Sequence, residues 1–350
     1  MELTKCKLGE LITQRREKND GSDLPICGVS KDGLIPPKQK DADTSIYNVF
    51  YRDDFIFNPA RMELNSIAIN DMYDRAICSS LYEVFYVHRT DLLLPHYLEL
   101  IIRQKWFTRY CKFLGQGSAR EYCRFGNISE IEIEFPPIEE QQKIVEYNTA
   151  IENRIALKQK INDNLDDTAQ TLYQKYFESN SDKSSWKQGT VGDVLQLQRG
   201  HDLPRTEMTG GKYPVAGSTG TIGYHDEFTA EAPVIVMGRS GNIGNPRLYL
   251  CNCWTHNTSL YVKQIYEAEP LWVFYLLKNL NYDGFVGGSA VPTLNRNDVH
   301  AYGIAIPPLE LQKSFSQKVM SLIYCKEENL SEIEKLQELQ KIILTTMSSR

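Results

Sequence analysis

The feature that most constrains this chain is a run of some forty residues, Pro136 to Phe177, that opens on a Pro-Pro pair and then contains neither Gly nor another Pro. Rich in Glu, Gln, Lys, Ile and Leu, it predicts one long helix whose first turn holds the prolines. Alternating steps of four and three from Ile144 visit Asn148, Ile151, Ile155, Lys158, Asn162, Leu165, Ala169, Leu172 and Tyr176, a coiled-coil seam that is apolar at both ends and polar in the middle. One helix cannot bury such a seam alone. A matching stretch, Pro307 to Met347, supplies the partner: 171 residues further on, the seam reads Phe315, Val319, Leu322, Lys326, Asn329, Ile333, Leu336, Gln340, Ile343 and Met347, with the polar break in the same place.

The repeat extends upstream of both helices. Gly117-Ser118-Ala119 lies 171 before Gly288-Ser289-Ala290, and the segment from Ile128 aligns with that from Val299 without a gap. "LGELITQRR" from Leu8 matches "VGDVLQLQRG" from Val191 at a shift of 183, so the second half carries the shorter loops. A repeat this long is a duplicated domain-plus-helix unit rather than a solenoid. The expected organisation is a first mixed α/β domain at 1–135, a long helix at 136–179, a second domain at 180–306 and a second long helix at 307–350.

With 350 residues, 41% of them hydrophobic, the chain can bury two cores. The absence of a membrane-length apolar run and of a secretory layout at "MELTKCKLGE" leads to the expectation of a soluble, cytoplasmic protein. Eight scattered cysteines without a C-x-x-C pair read as reduced thiols, with no zinc site. A net charge of -6 argues against a protein basic over its whole surface, so any nucleic-acid contact must be local.

In the first domain, strands are expected at Asp54–Asn58 and Ala76–Val87, and one helix over Pro95–Gly115 with apolar positions Leu98, Ile101, Ile102, Phe107, Tyr110 and Phe113. Its other face carries Arg103, Lys105, Arg109 and Lys112, followed by Arg120 and Arg124. That stretch is either a phosphate-facing patch or a solvated helix face. In the second domain, "APVIVMGRSGNIGN" from Ala232 is a strand running into a glycine turn with Arg239, Asn242 and Asn245. The turn lacks the Lys-Ser/Thr of a P-loop and the Rossmann spacing, whereas Arg and Asn are the residues that pair bidentately with guanine and adenine. "WTHNTSLYV" from Trp254 reads as core strand. No metal-hydrolase helix, nucleophile elbow or Walker motif occurs, and the six histidines form no sequence cluster.

The two "PP-[IL]-E-x-Q" helix starts (Pro136 to Gln141 and Pro307 to Gln312), the paired Gly-Ser-Ala segments, the "LGE/VGD" openings and "LYQKYF" closing the first long helix together resemble the DNA-specificity subunit of type I restriction-modification enzymes. The resemblance covers nearly the whole chain. It implies two target-recognition domains, each binding one half of a split double-stranded DNA site, separated by two antiparallel coiled-coil helices. It implies a non-catalytic chain with no cofactor of its own: two methyltransferase subunits would bring S-adenosylmethionine, and motor-nuclease subunits ATP and Mg. A helix of ~40 residues is ~60 Å long, against ~34 Å for a DNA turn, so antiparallel pairing would set the two domains apart like the ends of a ruler. The alternatives are a coiled-coil adaptor joining two protein-binding domains and a free-standing DNA-modifying enzyme.

A recognition surface needs cations for phosphates and guanidinium or amide groups for base edges, on loops held by a scaffold. The candidates are Arg15, Arg16, Arg61, Asn65 and Arg120 in the first domain. In the second they are Arg199, His201, Arg239, Asn242, Asn245, Asn295, Arg296 and Asn297.

Overall fold

The computed structural model describes residues 3–37, 43–115, 122–282, 285–287 and 293–348. Two compact units result, one of residues 1–157 and 332–350 and one of residues 158–331, so each long helix contributes a segment to each unit.

In the first unit, strand Thr4–Lys7 pairs antiparallel with Glu132–Phe135, joining the beginning of the domain to the residues that lead into the long helix. The main sheet has the order Ile12–Arg15, Glu83–Val87, Phe55–Phe57, Ile67–Ile69, antiparallel throughout. A second sheet sets the hairpin of Ile26–Ser30 and Gly33–Ile35 in parallel beside Arg75–Cys78, with Asn48–Tyr51 beyond it. Helices α1 (Pro95–Ile102), α2 (Lys105–Gly115) and α3 (Phe125–Ser129) precede the long α4 (Ile138–Tyr173), which ends in a π-type turn over Gln174–Glu178.

The structure departs from two sequence expectations in this unit. The strand pattern Ala76–Val87 is two strands, because Ser79 accepts from the Tyr82 N–H (3.0 Å) and folds the chain into a turn. The single helix over Pro95–Gly115 breaks at Arg103-Gln104. At ~100° per residue, Phe107 would fall on the far side of a continuous helix from Leu98. Leu98, Ile101, Phe107 and Cys111 are all buried in one core, α1 and α2 reaching it on either side of the break. Buried Gln104 sits at the break and accepts from the Trp106 indole at 2.5 Å.

The second unit repeats this plan. Lys187–Thr190 pairs with Gly303–Ile306, and the main sheet runs Leu195–Arg199, Ser259–Ile265, Val234–Gly238, Gly244–Tyr249. The hairpin of Tyr213–Gly217 and Gly220–His225 lies in parallel beside Trp254–Thr255. The stretch expected as one core strand from Trp254 is therefore split by a turn at 256–258, as its counterpart is at 79–82. Helices α5 (Pro270–Lys278) and α6 (Arg296–His300) correspond to α1 and α3, and α7 (Leu309–Ser348) to α4.

The repeated motifs have structural causes. Glu10 and Asp193 accept from the backbone N–H groups of Lys7 (3.0 Å) and Thr190 (2.7 Å), closing the "LGE" and "VGD" turns. A Cβ on Gly9 would lie 3.0 Å from Ser129, and one on Gly192 3.2 Å from the His300 carbonyl, so glycine lets α3 and α6 approach the opening turns. The glutamine of each helix start is buried: Gln141 accepts from the Leu94 N–H and donates to the carbonyls of Leu92 and Pro136. Gln312 does the same with the Glu269 N–H and the Pro307 carbonyl.

The long helices pair antiparallel within each unit. In the first, Gln340 donates to Asn148 (3.0 Å) and Arg154 pairs with Glu332. In the second, Asn329 donates to Asn162 (2.9 Å), Lys158 donates to Asn329 (2.9 Å), Lys326 meets Asp166, and Tyr173, Tyr176 and Phe177 pack on Phe315. Every seam position named above is buried or half-buried. The polar middle is thus a set of specific hydrogen bonds, which disfavours slipped registers.

Candidate nucleic-acid interface

Strand register brings most of the second-domain candidates to one end of the main sheet. Arg199 lies opposite Leu260, and Gly238 opposite both Ser259 and Gly244, so the chain leaves all four strands at the same end. There the His201 N–H donates to the Thr255 carbonyl (2.7 Å) and the Arg239 N–H to the Thr258 carbonyl (3.0 Å). The Arg239 carbonyl accepts from the Leu294 N–H (2.8 Å), which draws Asn295, Arg296 and Asn297 alongside. The turn at 256–258, read from sequence as core strand, is the piece that links these loops.

Within this cluster the side chains divide by what they already hold. Gly238 is forced by the turn, since a Cβ there would meet the Asn242 carbonyl at 1.5 Å. Asn242 donates to the Ser218 carbonyl (3.2 Å) and accepts from Asn245 (2.7 Å), which adopts a left-handed φ of 47°. Asn295 caps α6 by accepting from the Asn297 N–H (3.0 Å). Arg199, Arg296 and Asn297 are exposed, and Arg239 is half-buried with no ion pair among the described residues. The ring of His201 packs edge-on to Trp254. His300 accepts from the Leu197 N–H at 2.8 Å, and burial, with Arg296 near, holds its imidazole below the ordinary histidine value.

The first domain uses the same end of the same sheet. Arg61 projects from the turn over Pro59–Leu64 that follows strand Phe55–Phe57, as Arg239 follows Val234–Gly238. Asn65 closes that turn in the left-handed region (φ 55°), and its side-chain oxygen accepts from Thr108 (3.4 Å). Arg61 also lines a cavity of about 620 Å³ with Lys31, Asn58, Tyr47 and Tyr82. Arg16 is exposed and bonds Gln14 (2.9 Å). Arg120 lies outside the described residues.

Arg15 has a different setting. Its guanidinium forms a two-pronged pair with buried Asp54 (2.6 and 3.0 Å) and lies 4.7 and 4.6 Å from the ring centres of Tyr51 and Tyr86. Burial pushes the Asp54 carboxyl up, against the pull of Arg15. The register of the sheets equates Arg15 with Gln198 and Arg16 with Arg199. Arg15 is thus built into the sheet face, while Arg16 and Arg199 stand at its end.

The model of the type I restriction modification DNA specificity domain matches residues 6–167 and again 183–342. The chain belongs to the type I restriction modification DNA specificity family. Among its relatives, the MjaIX specificity subunit of Methanocaldococcus jannaschii is 22% identical over 73% of this chain and 68% of that protein. The HindI specificity subunit of Haemophilus influenzae is 26% identical over 35% of this chain and 27% of its own length. The fold resembles the crystal structure of the type I system S subunit from M. genitalium, with a TM-score of 0.66 at 15% identity over 99% of this chain and 96% of that one. A chain from a structure addressing complex assembly and conformational transition of the type I R-M system aligns with a TM-score of 0.51 at 18% identity, over 99% and 97%. Family membership assigns the chain to DNA sequence recognition within a restriction-modification system. Among the described residues, no helix is long and apolar enough to cross a membrane, and no group of three His, Cys, Asp or Glu could hold a metal ion.

Proposed function

We propose that this specificity chain reads a bipartite duplex target, one half-site per α/β domain. On this reading it directs two methyltransferase subunits, and in the restriction complex motor-nuclease subunits, to that target. The observation that carries this reading is the placement of Arg16 and Arg199 at one register position, with Arg61 and Arg239 in the turns after equivalent strands, at the same end of two sheets of equivalent strand order. Two copies of one scaffold, each presenting cations at the same end of its sheet, suit two half-sites better than one continuous site. The outward faces of the long helices carry exposed Tyr147, Leu157, Tyr324, Leu339 and Ile342, apolar area suited to the methyltransferase subunits. Two such subunits per chain follow from the internal duplication. S-adenosylmethionine, ATP and Mg belong on this reading to the partners.

Sequencing of modified adenines in cells with and without this gene tests the proposal. The expected result is a single split motif, methylated on each side of an unread spacer, that disappears with the gene. An unsplit motif, or a methylation pattern indifferent to the gene, would refute it. Native mass measurement under saturating methyltransferase should give two copies per chain.

A further inference from the structure

Six cations cluster between Arg103 and Arg124, and the structure sorts them. Arg103 is held by Glu99 (2.6 Å) and Glu152 (3.0 Å), and Arg124 meets Glu83 (3.4 Å). Arg120 lies outside the described residues. Lys105, Arg109 and Lys112 are different: all three are exposed on α2, and none has an ion-pair partner among the described residues. At ~100° per residue they fall within about 60° of one another around the helix and form one stripe along it. Phe107 and Cys111, on the opposite side, are buried.

Position gives the stripe its meaning. Thr108, beside it, donates to Asn65 (3.4 Å) at the end of the turn that carries Arg61. Lys112 lines a shallow depression with Pro59, Ala60, Met62 and Glu63 of that turn. The stripe is therefore continuous with the sheet end proposed above to meet DNA. No α-helix corresponds to α2 among the described residues between α5 and α6.

We propose that the Lys105, Arg109 and Lys112 stripe is a sequence-independent duplex-backbone contact belonging to the first domain alone. Three exposed ammonium and guanidinium groups along one helix face match phosphates. With no amide side chain among them, they are suited to holding the duplex against the domain while the Arg61 turn meets base edges. The stripe rests on the recognition reading above and adds to it an asymmetry between the half-sites.

The test uses the full chain assembled with its methyltransferase subunits. Affinity for a duplex carrying the recognised motif, and for one lacking it, is measured from 50 to 300 mM salt for wild type and for Lys105→Gln/Arg109→Gln/Lys112→Gln. With ~0.9 per phosphate in the slope of log affinity against log salt, the triple variant should flatten that slope by up to about 2.7. Both duplexes should weaken by the same factor, with the methylated sequence unchanged. The charge-conserving Lys105→Arg/Arg109→Lys/Lys112→Arg should keep the wild-type slope, which separates lost charge from lost folding. Backbone footprinting should lose protection at the half-site of the first domain only. An unchanged slope in the triple variant overturns the stripe and leaves the recognition reading standing. A wild-type complex without salt-dependent binding overturns both. Should Tyr110→Ser/Phe113→Ser, which removes the exposed aromatic pair beside the stripe, strip methyltransferase from the complex while the triple variant binds DNA normally, α2 is a protein contact and the inference fails.

Discussion

The first and second domains share a strand order, an opening turn, a clamped helix start and a helix seam, yet they differ where the chain meets solvent and where the long helices enter the core. At the seam position 171 apart, the second domain has Phe315, fully buried among Tyr173, Tyr176, Phe177 and Tyr275, while the first has half-buried Ile144. On the sheet face, Arg15 with Asp54 in the first domain is replaced by Gln198 in the second. Facing the opening glycine, Ser129 stands where the second domain has His300. The comparison teaches that duplication preserves what positions the sheet ends and allows divergence in how each domain is filled and what its ends present.

The largest way to break the symmetry is at the seam. Phe315→Ala should cost about 3–5 kcal/mol, because it empties a fully enclosed aromatic site. Ile144→Ala should cost about 1–2 kcal/mol, since water already reaches part of that side chain. Urea unfolding of the two variants checks the ratio, and equal costs would show the two helix entries to be energetically alike.

Next comes the sheet face. Arg15→Gln copies the second domain's residue into the first and strands the Asp54 carboxylate. It should destabilise by about 2–4 kcal/mol, below the range for a fully buried pair because Arg15 is itself partly exposed. The methylated sequence should not change. Altered specificity at preserved stability would move Arg15 into the interface.

Smaller effects are expected at the sheet ends. Arg239→Ala and Arg61→Ala should each weaken binding by about 1–3 kcal/mol and relax one position. The two relaxed positions should lie in different half-sites. Mapping of methylated motifs for both variants decides this, and relaxation within the same half-site would contradict one half-site per domain.

The smallest expected effect is the pH dependence that His300 brings to the second domain, where the first has Ser129. Folding depresses the His300 pKa, so its contribution is complete above the ordinary histidine value of about 6.5. As pH falls through that value, the unfolded chain takes up a proton that the folded imidazole, accepting from the Leu197 N–H, resists, and stability drops. Urea midpoints at pH 7.5 and 5.5 should differ less in His300→Gln than in wild type. An identical pH dependence in both would remove His300 from the account.

Much of the architecture was legible because it depends on periodicity. The heptad seam from Ile144 to Tyr176 and its copy from Phe315 to Met347 name each other as partners, and the 171-residue and 183-residue offsets locate matching strands before any coordinates. Local turn chemistry was harder to read. Helix Pro95–Gly115 looked continuous because no Gly or Pro interrupts it between its ends, and the turns at 79–82 and 256–258 sit inside runs rich in strand formers.

Periodicity and repetition therefore fix the duplication, the pairing of the two long helices and the types of side chain available to meet DNA. Which of those side chains are free depends on segments distant in the chain. Arg15 and Arg16 are neighbours in sequence, but strand alternation turns one onto the sheet face towards Asp54 and leaves the other exposed at the sheet end. Likewise Arg103 and Arg124 are held by carboxylates from distant segments, Glu152 and Glu83, whereas Lys105, Arg109 and Lys112 meet none among the described residues. Charge is written locally, but its neutralisation depends on which distant carboxylate the fold carries within reach.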